Sequence, residues 1–224
     1  MGKLFLFLNG NRIIDDHDNH IYQNMTKPAI NIVVALPSEA RPINQHLGLV
    51  RDNRHDQYRI YRKDHISLVA CGIGPDQAAD VTDWLHLAND SRQNDIWINI
   101  GIAGHPSHKV GKIVQASAIE DAETGQVWHL EIKEDIPCSS ERVVSVRQPD
   151  TSYTMNALVE MEAAGFYRSA LKHTTPDRIY CIKVVSDNCD NPTHTLNGKI
   201  VSQLIKEHMD LLDNLITKIN SDWE

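Results

Sequence analysis

The chain has 224 residues, 41% of them hydrophobic and 23% charged, with a formal net charge of −8. That length and composition suit one sizeable globular α/β domain. The acidic balance, with an isoelectric point near 5.8, argues against nucleic acid or an anionic membrane as the main partner, and no run approaches the roughly 20 apolar residues of a membrane-spanning helix.

Residues 1–28 open with KLFLFL, too short for a signal-peptide core, and continue into the polar NGNRIIDDHDNH. They are expected to form a poorly ordered polar extension, with Met25 as an alternative first residue. AINIVVAL (29–36) is an unbroken apolar, β-branched run, the mark of a strand buried on both faces. QYRIYRKDHISLVACGIG (57–74) reads as two strands joined at KDH and ending in a glycine turn. Pro75 then opens a helix, PDQAADVTDWLHLA, where proline suits the first helical position.

DIWINIGIAG (95–104) is a further buried strand, and GKIVQASAIED (111–121), GQVWHLEI (125–132) and ERVVSV (141–146) are strands as well. ALVEMEA (157–163) reads as a strand passing into a helix, and RIYCIKVVSD (178–187) as the last strand. From about Leu196 one long amphipathic helix is expected, with Ile200, Leu204, Leu211, Leu215 and Ile219 as its buried stripe. Strands alternate with helices while hairpins interrupt the middle. The expected architecture is α/β, a single-domain three-layer α/β/α with a mixed central β-sheet.

The four cysteines, Cys71, Cys138, Cys181 and Cys189, form no CxxC pair and read as reduced thiols in a cytoplasmic protein. The twelve histidines make no HExxH. His105 and His108 in HPSH are read as part of a solvated loop in preference to a metal site. No metal or cofactor is expected.

Several strands end in small or acidic residues: LPSEA, CGIG, GIAG, VEMEA and VVSDNCD. Ligands gather outside the carboxyl ends of parallel strands. If these ends lie together, Glu39, Glu160, Glu162 and Asp187 converge on one cleft, and the glycine turns let backbone approach a ligand. On an extended segment Glu160 and Glu162 share a face and Met161 takes the other. The competing readings are structural. The two glutamates can pair with Arg168 or Arg178, Asp187 can be a turn residue, and Glu39 can be a first-turn helix glutamate.

The pieces IVVALPSEA, VACGIGPDQAA, INIGIAG…HKVGKIVQAS, LVEMEAAGFY and VVSDNCD occur in an order that resembles the nucleoside phosphorylase and nucleosidase superfamily, most like the methylthioadenosine/S-adenosylhomocysteine nucleosidases, over roughly residues 30 to 220. The resemblance implies a nucleoside phosphorylase-like catalytic domain over residues 29–224. It implies that Glu162 accepts hydrogen bonds from ribose hydroxyls and that Met161 packs on the sugar, with Gly72 and Ser186 also at the substrate. Asp187 would act as, or support, the acid that protonates purine N7, and Glu39 would activate water. Glu160 would be peripheral. A homo-oligomer, a small-molecule nucleoside substrate and no cofactor follow from the same resemblance.

Two departures stand out. GIAGHPS has His105 where the family's AGG pattern continues with glycine. The stretch before VEMEA is short, leaving Val146, Gln148 and Tyr153 as the nearest base contacts. Two other functions compete with hydrolysis. A phosphorylase needs a basic anion site, for which Arg41 is the nearest candidate, and Glu39 would repel phosphate there. A sensing module would keep the pocket without turnover, but it would have no use for a water-activating carboxylate.

Overall fold

The computed structural model describes residues 27–89, 92–133 and 136–221. The alternative start at Met25 and all but the last two residues of the expected N-terminal extension lie outside them.

The apolar run after Ala29 forms β1 (Ile30–Val34), buried along its whole length. It pairs in parallel with β4 (Ile66–Ala70) on one side and β5 (Ile96–Gly104) on the other. Between them come α1 (Pro37–Leu47), a short β2 (Val50–Asp52), β3 (Ile60–Lys63) and, after β4, α2 (Pro75–Ala88). The hairpin turn at KDH is tight enough to hold Asp64 at φ +52°.

The second half supplies β6 (Ile113–Asp121), β7 (Val127–His129), β8 (Ser139–Ser145), β9 (Leu158–Glu160), α3 (Ala163–Ala170) and β10 (Ile179–Asp187). The ten strands of the described residues form one mixed sheet in the order β10-β6-β8-β9-β5-β1-β4-β3-β2, with β7 on β6. β10 also pairs with β5 in parallel, so one side of the sheet closes on itself.

Alternating side chains of the buried strands feed two cores. Val33, Val69 and Trp97 pack with α2 and α3. Ile30, Ile32 and Ile98 pack with α1, α4 (Gly198–Lys206) and α5 (Met209–Ser221). The molecule is thus the expected three-layer α/β/α arrangement with a mixed sheet.

Two local expectations are corrected. The strand expected over 157–163 is only Leu158–Glu160, because helix α3 begins at Ala163. The C-terminal helix is two helices, broken at Glu207 and His208, and Ile200 is exposed while Val201, Leu204 and Ile205 are buried. Helix α1, which the first-turn reading of Glu39 implied, carries Pro42 in its interior. Proline has no N–H to return to the carbonyl four residues back. That carbonyl, on Ser38, accepts instead from Oγ of Ser202 at 2.6 Å.

Candidate active site

The carboxyl ends of β1, β5 and β10, together with the turn after β4, open onto one cavity of about 200 Å³. Glu39, Glu160, Glu162 and Asp187 all line it, with Met161 and Ser186. Among the described residues, no Lys, Arg or His lines it. The apolar part of the wall includes Leu36, Ile73, Ile102, Val146 and Leu196.

Glu39 sits at the third position of α1 and is buried. Its Oε2 accepts the N–H of Leu36 at 2.8 Å and of Ala35 at 2.9 Å, and its Oε1 accepts the N–H of Ile102 at 3.0 Å. The helix-glutamate reading and the cleft reading are therefore both realised: one side chain caps the helix and faces the cavity. Burial raises its pKa, opposed by these backbone donors and by the charge of Lys183.

The GIAG motif explains itself here. A Cβ on Gly101 would lie 3.1 Å from Oε1 of Glu39, and one on Gly104 would lie 2.9 Å from Oδ2 of Asp187. Both glycines leave room for a carboxylate to lean on β5.

Glu162 lies just before α3, where the chain has already left the extended conformation. Its Oε1 accepts the N–H of Gly74 at 2.8 Å. Gly74 supplies that N–H from φ +113°, a backbone setting open to glycine. Burial, and then the charge of Glu160, push the Glu162 pKa up to about 7. Gly72, expected at the ligand, lies outside the cavity wall. Its N–H donates to Ala35, and its neighbour Ile73 takes the wall position.

Glu160 is not peripheral. It is buried and accepts from Nζ of Lys183 at 2.7 Å, from the N–H groups of Glu162 and Ala163, and from Oγ of Ser145. The cation on Glu160 is Lys183, in place of the arginine of the competing reading, and Arg178 donates to the Asn94 carbonyl. Because β9 ends at Glu160, Met161 does not point away; it lines the cavity between the two glutamates. Lys183 is a site residue that sequence reasoning missed. Burial alone would depress its pKa, and the Glu160 carboxylate reverses this and holds it above the ordinary lysine value.

Asp187 ends β10. Its Oδ1 accepts from Oγ of Ser186, and its Oδ2 accepts from Tyr153 OH at 2.7 Å and from Oγ1 of Thr193 at 2.6 Å. Of the three suggested base contacts, Val146 lines the cavity, Tyr153 touches Asp187, and Gln148 is not in the wall.

HPSH is the expected loop, with Ser107 exposed, but His105 itself is buried. Its ring stacks on His108 at 3.6 Å between centroids. With Glu141, the two histidines bring three ligand atoms within 4.8 Å of one another. The donor chemistry opposes a metal there. Nδ1 of His105 accepts the N–H groups of Ser107 and His108, so Nε2 carries the proton and donates to Oε1 of Glu141 at 3.0 Å. The Lys112 ammonium also lies 3.0 Å from Nε2 of His108. The cluster is a hydrogen-bonded clamp, and the backbone N–H of His105 donates to the Asp187 carbonyl oxygen at 3.0 Å.

No protein-family model matches the sequence, and no curated protein sequence matches it. Solved structures do. The 5′-methylthioadenosine nucleosidase of Arabidopsis thaliana in its apo form superposes with a TM-score of 0.73 at 17% identity, over 86% of this chain and 96% of that one. The Helicobacter pylori 5′-methylthioadenosine/S-adenosylhomocysteine nucleosidase with butyl-thio-DADMe-Immucillin-A gives 0.71 at 14%, over 86% and 99%. Native futalosine hydrolase of Helicobacter pylori strain 26695 gives 0.68 at 15%, over 86% and 98%. The chain has the fold of these nucleosidases.

Proposed function

We propose that the protein hydrolyses the N-ribosidic bond of a purine nucleoside, of the methylthioadenosine or S-adenosylhomocysteine kind, to free base and pentose. The observation that carries this reading is the meeting of Glu39, Glu162 and Asp187, from three distant parts of the chain, on one cavity.

The chemistry needs these groups. A ribosidic bond breaks through an oxocarbenium-like transition state, as in glycoside hydrolysis. The C1′–N9 electron pair passes to the ring while Asp187 gives a proton to N7. Water adds its oxygen to C1′, and its proton goes to Glu39. Burial raises the Glu39 pKa, which suits a carboxylate that must take a proton near neutral pH. Glu162 accepts from the ribose hydroxyls, Met161 packs on the sugar, and the carboxylates favour the positive charge that develops on it.

Water rather than phosphate as acceptor is supported by the cavity's charge. Among the described residues, its wall holds carboxylates and no cationic side chain. Arg41 is exposed on α1 and does not line the cavity. The backbone N–H groups of Ala35, Leu36 and Ile102, which would suit an anion, are taken by Glu39 itself.

The fit of one domain over residues 29–224, the cytoplasmic location and the homo-oligomer belong to the same proposal. The four cysteines are free, and among the described residues no helix is long and apolar enough to cross a membrane. Ile73, exposed at the cavity edge, offers an apolar contact for a second copy.

The test is product analysis with 5′-methylthioadenosine and S-adenosylhomocysteine in phosphate-free buffer and in 50 mM-scale phosphate, about physiological ionic strength. Hydrolysis predicts free adenine and unphosphorylated pentose at the same rate in both. Pentose 1-phosphate, formed only with phosphate, would make it a phosphorylase, and binding without product would make it a sensor.

A further inference from the structure

Tyr153 lies in the segment between β8 and β9. It is one of two non-glycine residues with positive φ among the described residues, at +51°. A tyrosine seldom adopts that backbone, and such outliers persist where surrounding contacts hold them. Here the contacts are at its hydroxyl. The OH donates to Oδ2 of Asp187 at 2.7 Å and accepts the Thr193 N–H at 2.9 Å. Thr193 donates its own hydroxyl to the same Oδ2 at 2.6 Å. Tyr153 itself is not in the cavity wall, whereas Asp187 is.

A carboxylate oxygen offers about two acceptor positions. The two hydroxyls fill Oδ2. Ser186 takes one position on Oδ1, so the position left for a ligand is on Oδ1. When Oδ1 is protonated, Oδ2 is the carbonyl oxygen and still accepts from both hydroxyls. The arrangement therefore serves both states of a proton donor without moving its partners. Without it, the Ser186 hydroxyl alone is left to hold the carboxyl plane, whose terminal torsion is broad.

We infer that Tyr153, seconded by Thr193, is a positioning residue of the reaction: it fixes the Asp187 carboxyl so that Oδ1 delivers the proton to the departing base. The inference rests on the nucleosidase reading. The strain in the Tyr153 backbone is the mark of a segment held in place for that hydroxyl.

The experiment compares Tyr153→Phe and Thr193→Val with the unaltered protein on two substrates. 5′-Methylthioadenosine needs its leaving base protonated; 4-nitrophenyl β-D-ribofuranoside does not. The expected result for Tyr153→Phe is a fall in kcat of about 10- to 100-fold on the nucleoside, with KM within about threefold, and a rate on the nitrophenyl riboside within about threefold. Thr193→Val is expected to move in the same direction and less. An unchanged kcat on the nucleoside, or a parallel loss on both substrates, overturns the assignment while leaving the nucleosidase reading in place. If only the nucleoside is turned over, the kcat-against-KM split decides, and a rise in KM alone overturns it. If the unaltered protein cleaves neither, the underlying reading falls and this assignment with it.

Discussion

Nζ of Lys183 lies 2.7 Å from Oε2 of Glu160, and both side chains are 1% exposed. The pair joins the end of β9 to β10 directly behind the cavity. Glu160 in turn caps the start of α3 through the N–H groups of Glu162 and Ala163. Breaking a buried pair on one side strands a charge, which costs about 3–5 kcal/mol, whereas replacing both partners is often near neutral. Lys183→Met is therefore expected to lose about that much stability in urea unfolding, and Lys183→Met/Glu160→Leu to recover part of it, because leucine removes the stranded charge but not the need of the Glu162 and Ala163 N–H groups for an acceptor. Equal loss in the single and double variants would contradict the pairing account.

The pH dependence of stability has a definite sign. Burial, followed by the charge of Glu160, raises Glu162 to about 7, from an ordinary value of 4.5. Between those two values the folded state binds more protons than the unfolded chain, so stability falls as pH rises. The contribution is fully present below pH 4.5 and lost as pH passes about 7. Glu39, raised by burial, acts in the same direction. Thermal unfolding followed across this range should show the wild type losing Tm relative to Glu162→Gln as pH increases. Parallel curves for the two proteins would show that Glu162 does not titrate there.

Gly165 is a packing constraint with a reach into the site. A Cβ at this position in α3 would run into the carbonyl oxygen of Pro75, at the start of α2. The same turn presents the Gly74 N–H to Glu162. Overpacking of this kind typically costs about 1–3 kcal/mol. Gly165→Ala should therefore lower the urea midpoint and also raise KM for the nucleoside, since displacing α2 moves the N–H partner of Glu162, the carboxylate proposed to hold the sugar. Loss of stability with unaltered KM would separate the two effects.

The cavity charge makes a prediction about substrates. Placing a phosphate among carboxylates with no cation in the wall is repulsive. Adenosine 5′-monophosphate should have kcat/KM at least about a hundredfold below that of adenosine, a gap that corresponds to the several kcal/mol of like-charge contact. Comparable efficiency for the two would point to a cation outside the described wall.

The fold was legible where one physical rule governed. The run after Ala29 announced a strand buried on both faces, and β1 is buried throughout. The acidic strand ends announced a cleft, and the structure gathers Glu39, Glu162 and Asp187 there. Legibility failed where two rules competed. Glu39 reads both as a first-turn helix residue and as a cleft residue, and nothing local shows that Ser202 will satisfy the Ser38 carbonyl freed by Pro42 in that helix. Period-two alternation misplaced Met161, because β9 is too short for it to hold. Lys183 gave one signal, a lone lysine inside the buried run IYCIKVVSD, but its partner Glu160 lies 23 residues away in the chain. The burial of His105 is not legible locally, because its ring partner Glu141 comes from β8.

The most direct measurement is the release of adenine from 5′-methylthioadenosine by the unaltered protein and by Asp187→Asn, with binding followed separately by calorimetry. A protein working as described releases adenine and pentose, and the Asn variant binds the nucleoside while its turnover falls by about 10²–10⁴-fold. Turnover surviving intact in that variant, or a wild type that binds nucleosides and leaves the bond whole, would contradict the account at its centre.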